Sequence, residues 1–272
     1  MNSQQPIGVF DSGVGGLSVL RHIHELMPYE QLIYVADSAY MPYGSLADEA
    51  VSERCHRIAH FFSEQNAKAV VVACNTATAA AIESLRNDFS IPIIGMEPAV
   101  KPAVDATRVG VIGVLATSGT LASEKFSKLV KRFGSNAEVI FQPGAGLVEQ
   151  VESGDLDGPK TRALLAGHLA PLLERGIDTL VLGCTHYPFL TPLIREIVGS
   201  DMVVFDTGNA IAAELKRQLE LHGLSSAESS SDDVRFYSSG NIHMSSEIVM
   251  RLWGRVVQVE SLPEYIYIKE EA

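Results

Sequence analysis

The strongest constraint on the fold is an alternation along almost the whole chain, in which short β-branched runs are followed by longer stretches with apolar residues at helical spacing. Candidate strands are 6–10 "PIGVF", 32–36 "LIYVA", 69–73 "AVVVA", 91–95 "IPIIG", 109–115 "VGVIGVL", 138–142 "EVIFQ", 179–183 "TLVLG" and 202–206 "MVVFD". Helical patterns fall between them, for example over 48–65, 77–88, 119–133, 159–175 and 189–198. Strands joined through helices pair in parallel, so the expected fold class is α/β, with parallel sheets flanked by helices on both faces. A chain of 272 residues, 46% of them hydrophobic, can bury a core for one large or two medium domains of this kind. Segment 223–233, "GLSSAESSSDD", reads as a solvated loop, followed by a strand at "VRFYSS" and a closing helix at "MSSEIVMRLWG".

The two sets of four strands also resemble each other. "GVFDSGVGGLSVL" is echoed by "GVLATSGTLASEKF", and "VVVACNTATAAAI" by "LVLGCTHYPFLTPLI", at nearly the same separation. Ser12-Gly13 matches Ser118-Gly119, and Cys74 matches Cys184. The pattern is that of a divergent internal duplication, giving two pseudo-symmetric halves. In open α/β sheets ligands bind at the carboxyl ends of the strands, where both cysteines fall, each expected just before a helix. The halves would then face one another with one thiol apiece.

Paired thiols suit a particular chemistry. Removing a proton from one face of a carbon and returning one to the other face needs two acid/base groups on opposite sides. A free thiol, with a pKa of about 8.5, is mostly protonated at neutral pH, but a helix N-terminus lowers that value, so one cysteine can wait as thiolate and the other as thiol. The turns "DSG" (Asp11, Ser12, Gly13), "CNT" (Cys74, Asn75, Thr76) and "CTH" (Cys184, Thr185, His186) add hydroxyls, an amide and backbone N–H groups suited to a carboxylate-bearing substrate.

Other functions are disfavoured. A formal net charge of −12 without a basic run argues against nucleic-acid or anionic-membrane binding, leaving a small molecule as the expected partner. Three widely spaced cysteines, Cys55, Cys74 and Cys184, fit neither a disulfide framework nor a metal site, and Cys55 falls on a helical pattern as a core residue. With no export signal at "MNSQQPIGVF" and no apolar stretch of spanning length, a cytoplasmic location is expected. The turn at Gly13 lacks a dinucleotide fingerprint, since Ser18 stands where glycine is required, and no lysine for a pyridoxal Schiff base lies in the three turns. Cofactor-free chemistry is therefore expected.

Taken together, "IGVFDSGVGGLSVL", "YVADSAYMPYG", "ACNTATA" and "LGCTHYPFL", in this order and spacing, resemble the motifs of the glutamate racemases, in the cofactor-independent aspartate/glutamate racemase superfamily. The resemblance runs from about residue 7 to about 207, and "FYSSG" followed by a helix extends it. It implies an isomerase that interconverts L- and D-glutamate and supplies D-glutamate for cell-wall peptidoglycan. The catalytic cysteines would be Cys74, taking the α-proton from D-glutamate, and Cys184, taking it from L-glutamate. Asp11 would serve the first thiol, and Glu152 and His186 the second. Substrate binding would fall to Asp11, Ser12, Tyr43, Gly44, Asn75, Thr76, Thr185 and His186. The resemblance further implies a homodimer, no metal, and a first domain of 1–97 plus 208–272 around a second of 98–207, with the active site in the cleft. One departure is that many relatives carry Cys-Pro where this chain has Gly144-Ala145, which leaves Glu149 competing with Glu152. The alternatives are an aspartate racemase of the same superfamily and a non-catalytic amino-acid-binding regulator, although ligand binding alone would not require two thiols.

Overall fold

The computed structural model describes residues 2–226 and 234–267, so part of the serine-rich segment, 227–233, lies outside the described residues. Among the described residues, ten strands run in chain order as β1 (Ile7–Asp11), β2 (Leu32–Ala36), β3 (Ala69–Val72), β4 (Ile93–Gly95), β5 (Val111–Ala116), β6 (Glu138–Pro143), β7 (Thr179–Gly183), β8 (Val203–Phe205), β9 (Val234–Ser238) and β10 (Val259–Ser261). They form a six-stranded sheet, β10-β9-β2-β1-β3-β4, and a four-stranded sheet, β6-β5-β7-β8, with every pairing parallel. The expected α/β class holds.

The duplication is visible in the topology. Within the larger sheet β2-β1-β3-β4 repeats the order β6-β5-β7-β8, so β3 and β7 are equivalent and the two cysteines follow equivalent strands. Central strands β1, β2, β3 and β7 are buried along their full length, which is why they read as continuous apolar runs without alternation. One apolar cluster joins the sheets through Val9, Val71, Leu115 and Leu182, and two others cover their outer faces through Phe62 and Phe126. At about 25 cal/mol per Å² of apolar burial, this shared cluster favours the two sheets staying packed together.

Local differences from the sequence reading have simple causes. The pattern over 119–133 is two helices, Ser118–Ala122 and Glu124–Phe133, because the Ser123 side chain accepts the Phe126 N–H and restarts the helix as an N-cap. The helix expected at 77–88 begins at Asn75, placing Asn75 and Thr76 in its first turn and Cys74 at its N-cap. After Cys184 the chain instead makes a 3₁₀ turn, Tyr187–Leu190, before the helix Thr191–Val198. None of the described helices is long and apolar enough to cross a membrane.

Candidate active site

Both cysteines open onto one cavity between the carboxyl ends of the two sheets. It is lined by Ser12, Tyr43, Gly44, Asn75 and Thr76 with Cys74, and by Thr185 and His186 with Cys184, and the space left between them is narrow, about 10 Å³. Both thiols are buried, at 6% and 7% exposure. Asn75 is 5% exposed, and among the described residues its amide nitrogen and oxygen have no hydrogen-bond partner. A buried amide without a partner is costly unless a ligand completes it.

Cys74 sits against the first sheet. Its sulfur accepts the Ala77 N–H at 3.5 Å as the helix cap and lies 3.9 Å from Ser12 Oγ. Asp11, at the end of β1, lies behind the cavity wall beside this thiol, and its Oδ2 accepts the Gly16 N–H at 2.7 Å and the Thr185 hydroxyl at 3.2 Å. Burial pushes the Asp11 pKa above the usual carboxylate range, against the pull of His186 and of its contact with Cys74. Burial, followed by the charge of Asp11, in turn holds the Cys74 thiol well above its ordinary value. This corrects the expectation that a helix N-terminus would lower it: the Ala77 N–H does act in that direction, but desolvation wins.

The second thiol has different company. His186 Nδ1 lies 3.7 Å from Cys184 Sγ, while Nε2 is 2.7 Å from Glu152 Oε1. Burial opposes the imidazolium, yet the contacts with Cys184 and Glu152 raise the His186 pKa well above its usual value. The same Glu152 oxygen accepts the Val14 N–H at 2.7 Å, so a turn from the first sheet completes a charge pair from the second. The approach leaves no room for side chains: a Cβ on Gly13 would lie 1.9 Å from Glu152 Oε1, and one on Gly15 would lie 2.3 Å from His186 Nδ1. Glu149 is exposed and faces an adjoining groove, so Glu152 is the carboxylate that reaches His186. At the departure from the family pattern, the Tyr187 hydroxyl donates to the Gly144 carbonyl at 3.1 Å.

A match to the Asp/Glu/hydantoin racemase family extends over residues 7–215. The chain belongs to this family. It is 53% identical over 260 residues to the glutamate racemase of Stutzerimonas stutzeri, covering 95% of this chain and 97% of that one. The fold is similar to glutamate racemase isoform RacE1 from Bacillus anthracis, with a TM-score of 0.86, 32% identity, and coverage of 97% and 99%. It is also similar to Escherichia coli glutamate racemase solved with L-glutamate and the activator UDP-MurNAc-Ala, with a TM-score of 0.85, 31% identity, and coverage of 95% and 98%.

The structure adds cavity-lining residues that the sequence reading left out. Thr117 and Thr120 line the cavity, and their hydroxyls meet Thr76 Oγ1 across the cleft at 3.1 and 3.3 Å. A signal for them was available, since matching Ser12 with Ser118 puts Thr117 at the position of Asp11 in the second repeat. Tyr43 lines the cavity, but its hydroxyl is committed to Asp37 at 2.5 Å, and Asp37 is held by Arg54 at 2.8 Å. Tyr43 therefore presents its ring and backbone to a ligand.

Proposed function

We propose that this chain is an isomerase that interconverts L- and D-glutamate by cofactor-independent proton transfer between Cys74 and Cys184. The observation that carries the mechanism is two buried thiols, from equivalent positions of two halves, opening onto one cavity with different acid/base partners. The 53% identity to a curated glutamate racemase supports glutamate as the substrate.

With L-glutamate bound, the Cys184 thiolate, supported by the His186 imidazolium, takes the α-proton and becomes a thiol. The planar intermediate then receives the Cys74 proton on its other face, leaving Cys74 as thiolate and yielding D-glutamate. The reverse reaction begins from that exchanged state, with Cys74 as base and Asp11 beside it. Thr76, Thr185, Ser12 and the Asn75 amide bind the substrate's polar groups, with backbone N–H groups at the N-terminus of the helix Asn75–Asp88 and around Gly44 supporting its carboxylates. Thr117 and Thr120 join that set.

The same reading divides the chain into a domain of 1–97 plus 208–272 and another of 98–207, which the membership of strands in the two sheets supports. It also carries a cytoplasmic homodimer that supplies D-glutamate for peptidoglycan. The test is incubation of the protein with L-glutamate in D₂O without added cofactor, following optical rotation and the α-proton signal, with L-aspartate in parallel. Exchange and racemisation of glutamate alone are expected. Turnover of aspartate alone overturns the substrate, and no exchange with either overturns the enzymatic reading.

A further inference from the structure

Tyr34 lies on β2 beneath the Gly-rich turn and is fully buried. Its hydroxyl donates to the Gly13 carbonyl at 2.7 Å. That carbonyl begins the turn whose Val14 N–H binds Glu152 Oε1 at 2.7 Å and whose Gly16 N–H binds Asp11 Oδ2 at 2.7 Å. One short turn therefore touches the carboxylate of each half-site, Asp11 beside Cys74 and Glu152 beside His186, and a single phenol pins it from below. We propose that Tyr34 is a positioning residue for both half-sites: by fixing the Gly13 carbonyl, it holds the N–H groups that orient Asp11 beside Cys74 and Glu152 beside His186. Burial and the charges of Asp11 and Glu152 raise the phenol's pKa well above its ordinary value, so the hydroxyl remains a donor throughout the working pH range. The ring has its own anchor against Phe236, with centroids 6.3 Å apart, so the hydroxyl can be removed without removing the packing.

This inference rests on the two-thiol reading, and its test separates the two. At equilibrium L- and D-glutamate are equal, so racemisation cannot give different kcat/KM values in the two directions. A glutamate analogue with a leaving group on its β carbon escapes that limit: one thiolate takes the α-proton, the electron pair expels the leaving group, and no second base is needed. The D enantiomer then reports on Cys74 and the L enantiomer on Cys184.

Tyr34→Phe is expected to lower kcat for both enantiomers by about tenfold, with KM within about twofold, the scale of one lost buried hydrogen bond. The acid limb of its pH–rate profile for the D analogue should move to higher pH, because Asp11, with the Gly16 N–H drawn off its oxygen, holds its proton more tightly. Tyr34→4-aminophenylalanine, which keeps the ring and a neutral N–H donor, should recover most of the activity. The proposal is overturned by a loss confined to one enantiomer, by a lowered Tm with kcat and the acid limb unchanged, or by a folded 4-aminophenylalanine variant as impaired as the phenylalanine one. Wild-type protein inert towards both glutamate and the analogue would overturn the functional reading itself; a wild-type-like Tyr34→Phe beside an active wild type overturns only the role of Tyr34.

Discussion

The Cys74 and Cys184 half-sites occupy equivalent places in the two repeats, each at the carboxyl end of an equivalent strand, and yet they hold protons in different ways. Cys74 caps a helix, but burial beside Asp11 keeps it a thiol. Cys184 precedes a 3₁₀ turn and faces an imidazole that Glu152 helps to keep charged. Where the first repeat has Asp11 at the end of β1, the second has Thr117, so the charge on that side comes from His186, two residues past the thiol. The repeated strand order sets where the sulfurs sit, and the different neighbours set the charge around each. Under the proposed mechanism, a resting state with Cys74 protonated and an imidazolium beside Cys184 is the one that accepts L-glutamate.

The largest effect that would test this contrast comes from the thiols. Cys74→Ser and Cys184→Ser should each lower racemisation by about a thousandfold, since a serine hydroxyl is a far weaker acid/base group. Their effects on β-elimination should diverge, with Cys74→Ser sparing the L analogue and Cys184→Ser sparing the D analogue. If either variant racemised glutamate at the wild-type rate, the two-base assignment would fall.

Removing the partners should sharpen the contrast with smaller losses. His186→Asn is expected to slow elimination from the L analogue by about a hundredfold while leaving the D analogue within a few-fold, and Asp11→Asn should do the reverse. Equal losses on both enantiomers would mean that the partners serve the cavity as a whole. Gly15→Ala should follow the His186 pattern at about a tenfold loss, because its methyl would press on Nδ1 from 2.3 Å. An effect on the D analogue alone would contradict that placement.

How far the sequence revealed this arrangement follows the same division between place and chemistry. Parallel α/β order, the repeat and the positions of both thiols were legible, because buried central strands are written as apolar runs and strand ends are punctuated by Asp11-Ser12-Gly13, Cys74-Asn75-Thr76 and Cys184-Thr185-His186. The proton affinity of Cys74 was not legible, since local sequence shows the helix N-terminus but not the desolvation that overrides it. The link from Val14 to Glu152 was hidden for another reason: a backbone N–H donates to a side-chain carboxylate 138 residues away, a contact set by how the two halves dock. Tyr34 was hidden in the same way, reading as one more apolar residue of a buried strand.

The smallest expected effect concerns stability, and it tests whether the two partners differ in kind. Asp11 has its folded pKa raised, so the folded state binds its proton more tightly than the unfolded chain does. Stability from this group is therefore greatest below the ordinary carboxylate value of about 4 and declines as pH rises through the folded value. His186 is also raised, but here the charged form is the favoured one, so its contribution is complete below about 6.5 and is lost only as pH climbs through its folded value. At neutral pH Asp11 thus costs stability while His186 supplies it. Asp11→Asn should raise Tm at pH 7 by about 2 °C, with the gain shrinking towards pH 4, whereas His186→Asn should lower Tm most at pH 6 and least in alkali. A Tm for Asp11→Asn that falls at pH 7 would show that the donors from Gly16 and Thr185 outweigh the burial of the charge, and would make the two half-sites alike in depending on a settled carboxylate.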